Sequence, residues 1–387
     1  MKKSILILLL FIISKSTSMY GENTNNYAYY HKYINKAEYY FYLQNNVDSC
    51  LHYYNLAFDG FSFNHIHDLI NAAQIACFSA KEYKSYLYKG YSYGLQVKHL
   101  KQIPLFKSDC IEEFENFEKT SSYQEIRKNY LKSISIDYLD WMYQFAIEEQ
   151  IAKETLKESD FALWWDEHIE ELTSKINQYG FPSNQIIGIE CSTIFEELGI
   201  QNKDMSERVL KHKDKDILCY ENMPDFFVFG EDTVWFEKDS NSTMCFDVDE
   251  TILGVSLIMV CLIHYGQLYT SNDTIYNRLF PIWLQEIEKG NLHPRQMAIF
   301  HDNMHRMYVK DEDLTSNTIL FEWLQRGVGE VFGIETQQIH LIFYDESFNI
   351  NEFREKHNIV SLEVDAKKKE YEEKQDFKLF WGFSRCQ

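Results

Sequence analysis

Two features that often reveal a protein's chemistry are missing from this sequence: closely spaced cysteines and long apolar runs. No two of the eight cysteines have the CxxC spacing that is typical of zinc ribbons and redox pairs. The longest apolar run, 252–263, is too short to cross a bilayer and favours a buried core helix. Cys50, Cys77 and Cys261 lie in apolar helical patterns and are predicted to be buried thiols.

Positive charge is also scarce, because 38 Lys and Arg face 59 Asp and Glu, for a formal net charge of −21. Binding to phosphate groups depends on clustered Lys and Arg, so we predict neither a nucleic-acid partner nor an anionic lipid surface. The basic residues of 365–375 alternate with acids, and this pattern predicts a solvated helical face.

The first residues, "MKKSILILLLFIISKSTS", have the order of a Sec-type signal peptide: two lysines, an apolar core and small polar residues. We predict that residues 1–18 are removed and that the mature chain is periplasmic or secreted, with no transmembrane helix. The residues leave open which side of an outer membrane the protein faces.

Four short amphipathic segments occupy 30–43, 46–58, 67–78 and 81–94. Small residues recur in them at intervals of 36 and 33 positions, namely Ala37 to Ala73 and Ala57 to Gly90. Paired helices with this period resemble tetratricopeptide repeats, so 27–100 is predicted to be a helical-repeat domain. Such repeats bind a protein or peptide on a concave face, although two repeats can also merely pack against the rest of the chain.

The remainder, 122–387, is predicted to be a mainly helical domain of unknown function. Helical spacing extends over 122–156, and 104–125 has no regular pattern. An insertion at about 217–248 alternates apolar and polar residues and predicts a three-stranded antiparallel meander over 225–248. The fold prediction is therefore mainly α: N-terminal tetratricopeptide-like helical repeats plus a helical C-terminal domain with a small β meander insertion.

The stretch "CFDVDETILG" resembles the first motif of haloacid-dehalogenase-type phosphatases. The resemblance implies Asp247 as the phosphoryl-accepting nucleophile, Asp249 as the acid/base, and a Mg²⁺ ion that offsets the carboxylate charge. The alternative is local: Asp249 caps the apolar helix that follows, with Glu250 in its first turn.

The stretch "FHDNMHRM" places His301 and His305 four residues apart, a spacing at which two imidazoles on a helix can bind one metal ion. His264 is the candidate third ligand. The alternative is that the two histidines border an amphipathic helix on which Asp302 and Arg306 form an ion pair.

The stretch "HIHDL" precedes another helix, and there we interpret His65 and Asp68 as capping residues. Histidines two positions apart do not share a helix face, so metal binding is not favoured.

From about residue 135 onward, the order of motifs resembles a family of exported bacterial proteins that is common in Bacteroidota. The family pattern is Asp-Gln-x-x-Arg, Tyr-Gly-Trp/Phe-Pro, His-x-Asp, Asp-Arg, Tyr-Gly-Thr-Gln and a late Arg, often behind helical repeats. The matching positions here are Glu149, Gln150 and Lys153, then 178–182, His264, Asp302, 331–337 and Arg354.

The resemblance implies a polar pocket but no known activity. This chain departs from the pattern at Gly266, where an acid is expected, and at Asn303, where an arginine is expected. A catalytic version of the pocket would use His264, Asp302, Gln337 and Arg354.

Three functions follow from these patterns. The leading one is an exported, non-catalytic binding or interaction protein. The second is a divergent hydrolase or metal-dependent enzyme with its pocket around His264 and Asp302. The third is a phosphatase that uses Asp247 and Asp249. No cofactor is predicted, and the alternative is a divalent metal at His301, His305 and His264.

Overall fold

The computed structural model describes residues 26–189, 194, 197–198, 208–212, 215–219, 226–229, 232–235, 258, 261–262, 264–265, 279–298 and 350–375. In this part of the chain the fold is mainly helical, as the sequence predicts. None of the helices in these residues has the length and hydropathy of a membrane span.

The N-terminal helices, which are short and closely connected, are α1 (Ala28–Tyr42), α2 (Val47–Gly60), α3 (Ile66–Phe78), α4 (Lys84–Tyr91), α5 (Val97–Leu100) and α6 (Ser108–Glu118). Next come α7 (Ser121–Ser133) and two longer helices, α8 (Ile136–Thr155) and α9 (Glu158–Tyr179). The C-terminal helices are α10 (Phe280–Lys289), α11 (Ile350–Lys356) and α12 (Leu362–Gln375), and residues 294–298 are also helical.

Alanines allow the first three helices to approach one another closely. Ala37, Ala57 and Ala73, one in each helix, are fully buried. The turn before α2 is closed by Asn46, whose side chain accepts a hydrogen bond of 3.0 Å from the Ser49 N–H. The predicted helices are therefore present, while their classification as tetratricopeptide repeats stays a prediction.

One local prediction for the middle of the chain is wrong. Residues 104–125 contain α6 and the start of α7, whose first turn is capped by Thr120 through a 3.2 Å hydrogen bond from the Tyr123 N–H. The helical spacing over 122–156 is confirmed and belongs to two helices, α7 and α8, because Ile134 and Ser135 between them have extended backbone conformations.

Two helix ends depend on glycine, as the sequence indicates. Gly180 ends α9 with φ of 94°, and Gly290 ends α10 with φ of 82° in the left-handed region. A Cβ atom at Gly290 would come within 2.7 Å of the Tyr27 ring, so this position also requires glycine for space.

The buried apolar residues form two clusters. One contains residues of 27–123, and the other contains residues of 130–298 together with Ile359. The chain returns to the first cluster at its C-terminal end, where Val360 and Val364 pack with the N-terminal residues. The predicted domain boundaries themselves stay predictions.

The strands form two separate antiparallel pairs. The first pair is β1 (Arg208–His212) with β2 (Lys215–Cys219), and the second is β3 (Phe226–Phe229) with β4 (Asp232–Trp235). The predicted three-stranded meander is not confirmed, because β3 and β4 form a two-stranded sheet and residues 243–248 lie outside the described ranges.

A buried ion network joins the first helix to the last. Glu38 on α1 binds the guanidinium of Arg295 and, at 2.7 Å, the ammonium of Lys368 on α12. A second buried pair joins Arg354 on α11 to Asp365 on α12. The prediction that 365–375 is a solvated face is thus wrong on one side of α12, because Lys368 and Asp365 find partners on other elements.

Replacing Glu38 with glutamine should destabilise the whole protein. Two buried cations would lose their shared carboxylate, and breaking a buried pair from one side costs about 3–5 kcal/mol. Denaturant unfolding followed by circular dichroism measures the change. The control is Glu370→Gln on α12, which removes a half-exposed pair with Lys367 and should have little effect. Equal effects of the two substitutions would contradict this account of the network.

Candidate functional site

Three candidate residues from distant parts of the chain meet in the second core. Glu149 and Lys153 lie one turn apart on α8, and both contact the ring of His264. The Glu149 carboxylate is 3.0 Å from Nδ1, and the Lys153 ammonium is 2.9 Å from Nε2. His264 and Glu149 are buried, whereas Lys153 is partly exposed. The structure therefore brings together the first and third motifs of the family pattern.

The two neighbours determine the protonation of His264. A carboxylate only accepts hydrogen bonds and an ammonium only donates them. Nδ1 therefore donates to Glu149 and Nε2 accepts from Lys153, which describes a neutral imidazole. A general base needs a free lone pair on the nitrogen that faces the substrate. In this arrangement Lys153 occupies that lone pair.

Cys261 lies in the same region, as a buried thiol. Burial raises its pKa well above the ordinary value, and the negative charge of Glu149 raises it further. The thiolate is the reactive form of cysteine, so this thiol is unsuited to act as a nucleophile. The prediction of a buried thiol is confirmed for Cys261 and Cys50, while Cys77 is only partly buried.

Arg354 is fully buried and bound to its own chain. Its Nε donates to the Val360 carbonyl at 2.6 Å, and its terminal nitrogen binds the Asp365 carboxylate. These contacts connect α11 to α12 across the intervening turn. The Arg354 side chain therefore helps to hold the turn between α11 and α12 in place.

The other predicted site residues lie outside the described ranges. Whether they converge with His264 therefore stays a prediction, as do the metal and phosphatase sites. These residues are Asp302, Gln337, His301, His305, Asp247 and Asp249. Within the described ranges, no three His, Cys, Asp or Glu side chains are placed to hold one metal ion.

The capping interpretation of "HIHDL" is wrong. The side chain of His65 makes no capping hydrogen bond, and both His65 and Asp68 are buried. Asp68 instead accepts a 3.0 Å hydrogen bond from the hydroxyl of Tyr30 on α1. The polar residues of "HIHDL" stand at the start of the most apolar N-terminal helix. This contrast is the sequence signal for a buried polar network, because polar side chains on such a helix face either solvent or one another.

A row of aromatic rings covers the exposed side of α1 and α2. We call it the tyrosine face and define it by Tyr33, Lys36, Tyr39, Tyr40 and Tyr53. The ring of Tyr53 stacks on that of Tyr40, with centroids 5.3 Å apart and planes 8° apart, and lies 6.4 Å from that of Tyr33. The Lys36 ammonium is 5.4 Å from the Tyr53 centroid.

The charge of the tyrosine face is opposite to that of the chain as a whole. Lys32 and Lys36 are the exposed charged residues of α1, because its one acid, Glu38, is buried. Asp48 and Asp59, at the two ends of α2, are paired with lysines of other segments. The centre of this surface is therefore aromatic and cationic on an acidic protein.

No family model, curated protein or solved structure matches this chain. The resemblance to the exported bacterial family thus stays a prediction. The described residues offer two features that bear on function: the enclosed contacts of His264 and the exposed tyrosine face.

Replacing Glu149 with glutamine should reduce stability. The change removes the charged acceptor of the His264 Nδ1–H, and a hydrogen bond to a buried charge contributes about 1.5–3 kcal/mol. Glu148→Gln is a control on the same helix, because Glu148 is exposed. Denaturant midpoints of the two variants measure the difference, and a loss of stability in Glu148→Gln as large as in Glu149→Gln would refute the assignment.

Proposed function

We propose that this is an exported, non-catalytic binding protein whose tyrosine face binds an acidic protein segment. The stacked rings of Tyr33, Tyr40 and Tyr53 beside Lys36 are the observation that carries the proposal. Tyrosine is enriched in protein interfaces, because it offers a large contact area with few rotatable bonds and a polar hydroxyl. The proposed export depends on the signal-peptide pattern of residues 1–18 alone.

The tyrosine face is supported by the core beneath it. Tyr33, Tyr40 and Tyr53 are partly buried and pack against the N-terminal core. α1 is held on its other side by the contacts of Glu38 with Arg295 and Lys368. A preformed surface binds more tightly, since less side-chain freedom is lost when the complex forms.

Charge selects the class of partner. Lys36 in the tyrosine face and Lys32, one turn before it on α1, attract carboxylates, while the net charge of −21 repels acidic proteins from most other surfaces. An acidic segment with aromatic or apolar side chains matches both features. Its carboxylates would meet the lysines, and its apolar groups would cover the rings.

The test uses the full-length mature protein and a display library of random peptides. We expect enriched peptides that are acidic, and we expect Lys36→Glu to weaken the best binder by more than tenfold. A control with the same local chemistry is Lys175→Glu, because Lys175 lies 5.2 Å from the Trp141 ring and 5.8 Å from the exposed Tyr179 ring. Equal weakening by the two substitutions, or enrichment of peptides without acids, would contradict the proposal.

The second candidate is a divergent hydrolase, and the contact of His264 with Glu149 favours it. A carboxylate that orients an imidazole is part of many hydrolytic sites. The contact of Lys153 argues against a hydrolase, because the Lys153 ammonium occupies the lone pair of Nε2. We therefore expect wild-type protein and Glu149→Gln to hydrolyse p-nitrophenyl acetate at the same slow rate, and a tenfold loss in Glu149→Gln would support the enzyme instead.

A further inference from the structure

Three histidines from separate stretches of the chain form a buried cluster. His31 lies on α1, His65 precedes α3, and His293 follows α10. Their ring centroids are 4.8, 5.0 and 5.4 Å apart, and at most 8 % of each residue is exposed. We call them the histidine cluster. Neither ring nitrogen of His31 has a hydrogen-bonding partner among the described residues.

Hydrogen bonds identify which nitrogen of His293 carries the proton. Its Nδ1 accepts the backbone N–H of Arg295 at 3.2 Å. The proton of a neutral ring is therefore on Nε2, which lies 3.5 Å from the Asp68 carboxylate. Because that nitrogen has no free lone pair, this arrangement is unsuited to hold a metal ion between His293 and Asp68.

Charged groups lie near the histidine cluster on each of the elements that pack around it. They are Glu38 on α1, His67 and Asp68 on α3, Arg295 beside His293, and Asp365 and Lys368 on α12. With Arg354 as the partner of Asp365, three acids balance three bases. A proton on any imidazole therefore adds a buried positive charge close to two existing cations.

The pKa values agree with this picture. Burial, followed by repulsion from His293, lowers the pKa of His65 to about 3. Burial and the neighbouring cationic groups lower the pKa of His31 and His293 well below their ordinary value. The folded cluster is therefore neutral where a solvated histidine, with a pKa of about 6.5, begins to bind a proton.

We propose that the histidine cluster is an acid-sensitive latch, whose protonation releases the 293–298 segment and α12 from α1 and α3. A group with a lowered pKa stabilises the closed state fully above about pH 6.5, and its contribution is lost as the pH falls below that value. Burial raises the pKa of Asp68 above its ordinary value, so that group acts in the opposite direction as the pH falls. The effect of histidine protonation on the latch is therefore measured between about pH 7.5 and 5.5.

Hydrogen exchange of the full-length protein tests the latch directly. Between pH 7.5 and 5.5, after correction for intrinsic rates, we expect exchange to accelerate more than tenfold in 28–42, 66–78 and 362–375. Residues 158–179, in the second core, should keep their protection. Unchanged exchange at pH 5.5, or equal loss of protection in 158–179, would overturn the proposal.

A substitution links the effect to the cluster. The slope of the unfolding free energy against pH gives the number of extra protons that the unfolded chain binds. His31→Gln should reduce that count by about one, because this residue no longer takes up a proton. His52→Gln, which removes an exposed histidine, is the matched control with which the slope is compared. The proposal fails if His31→Gln and wild type have the same slope. If His31→Gln does not fold, His65→Gln is measured in its place against the same criterion.

Discussion

Glu38 lies near the middle of the first helix with its carboxylate in the protein interior, where it binds Arg295 and Lys368. These partners are 257 and 330 positions away in the chain. A buried carboxylate is tolerated only when cations and hydrogen bonds replace its hydration. α1 therefore reaches its native environment only when the C-terminal segments are in place. The position of the tyrosine face and the enclosure of the histidine cluster both depend on this contact.

The contacts of His264 show a second use of buried charge. Glutamate and lysine four positions apart on a helix usually pair with each other on the surface. Here Glu149 and Lys153 hold the two sides of one imidazole instead. His264 is therefore neutral and both of its ring nitrogens are hydrogen-bonded. This arrangement fits a structural role better than a catalytic one. This is the physical reason why the binding surface, rather than the buried polar residues, carries the proposed function.

Sequence patterns were reliable where the determining contacts are local. Apolar spacing predicted the helices of 28–91 within a few residues, and Gly180 and Gly290, which end α9 and α10, have positive φ. They failed where a polar residue has a distant partner. Lys368 and Asp365 look solvated in a run of alternating charges, and nothing near them in sequence indicates Glu38 or Arg354. His264 was predicted as a candidate, but not the protonation that its neighbours impose.

The sequence by itself determined the helical class of the described chain, the positions of most of its helices and the acidic balance that argues against nucleic-acid partners. These properties follow from hydrophobic period, glycine and charge, which act over a few residues or over the whole composition. Only the tertiary structure decided which polar residues are buried together: the histidine cluster, the Glu38 network and the surroundings of His264. Each of them joins segments far apart in the chain, and a buried polar group is defined by its partners rather than by its neighbours in sequence.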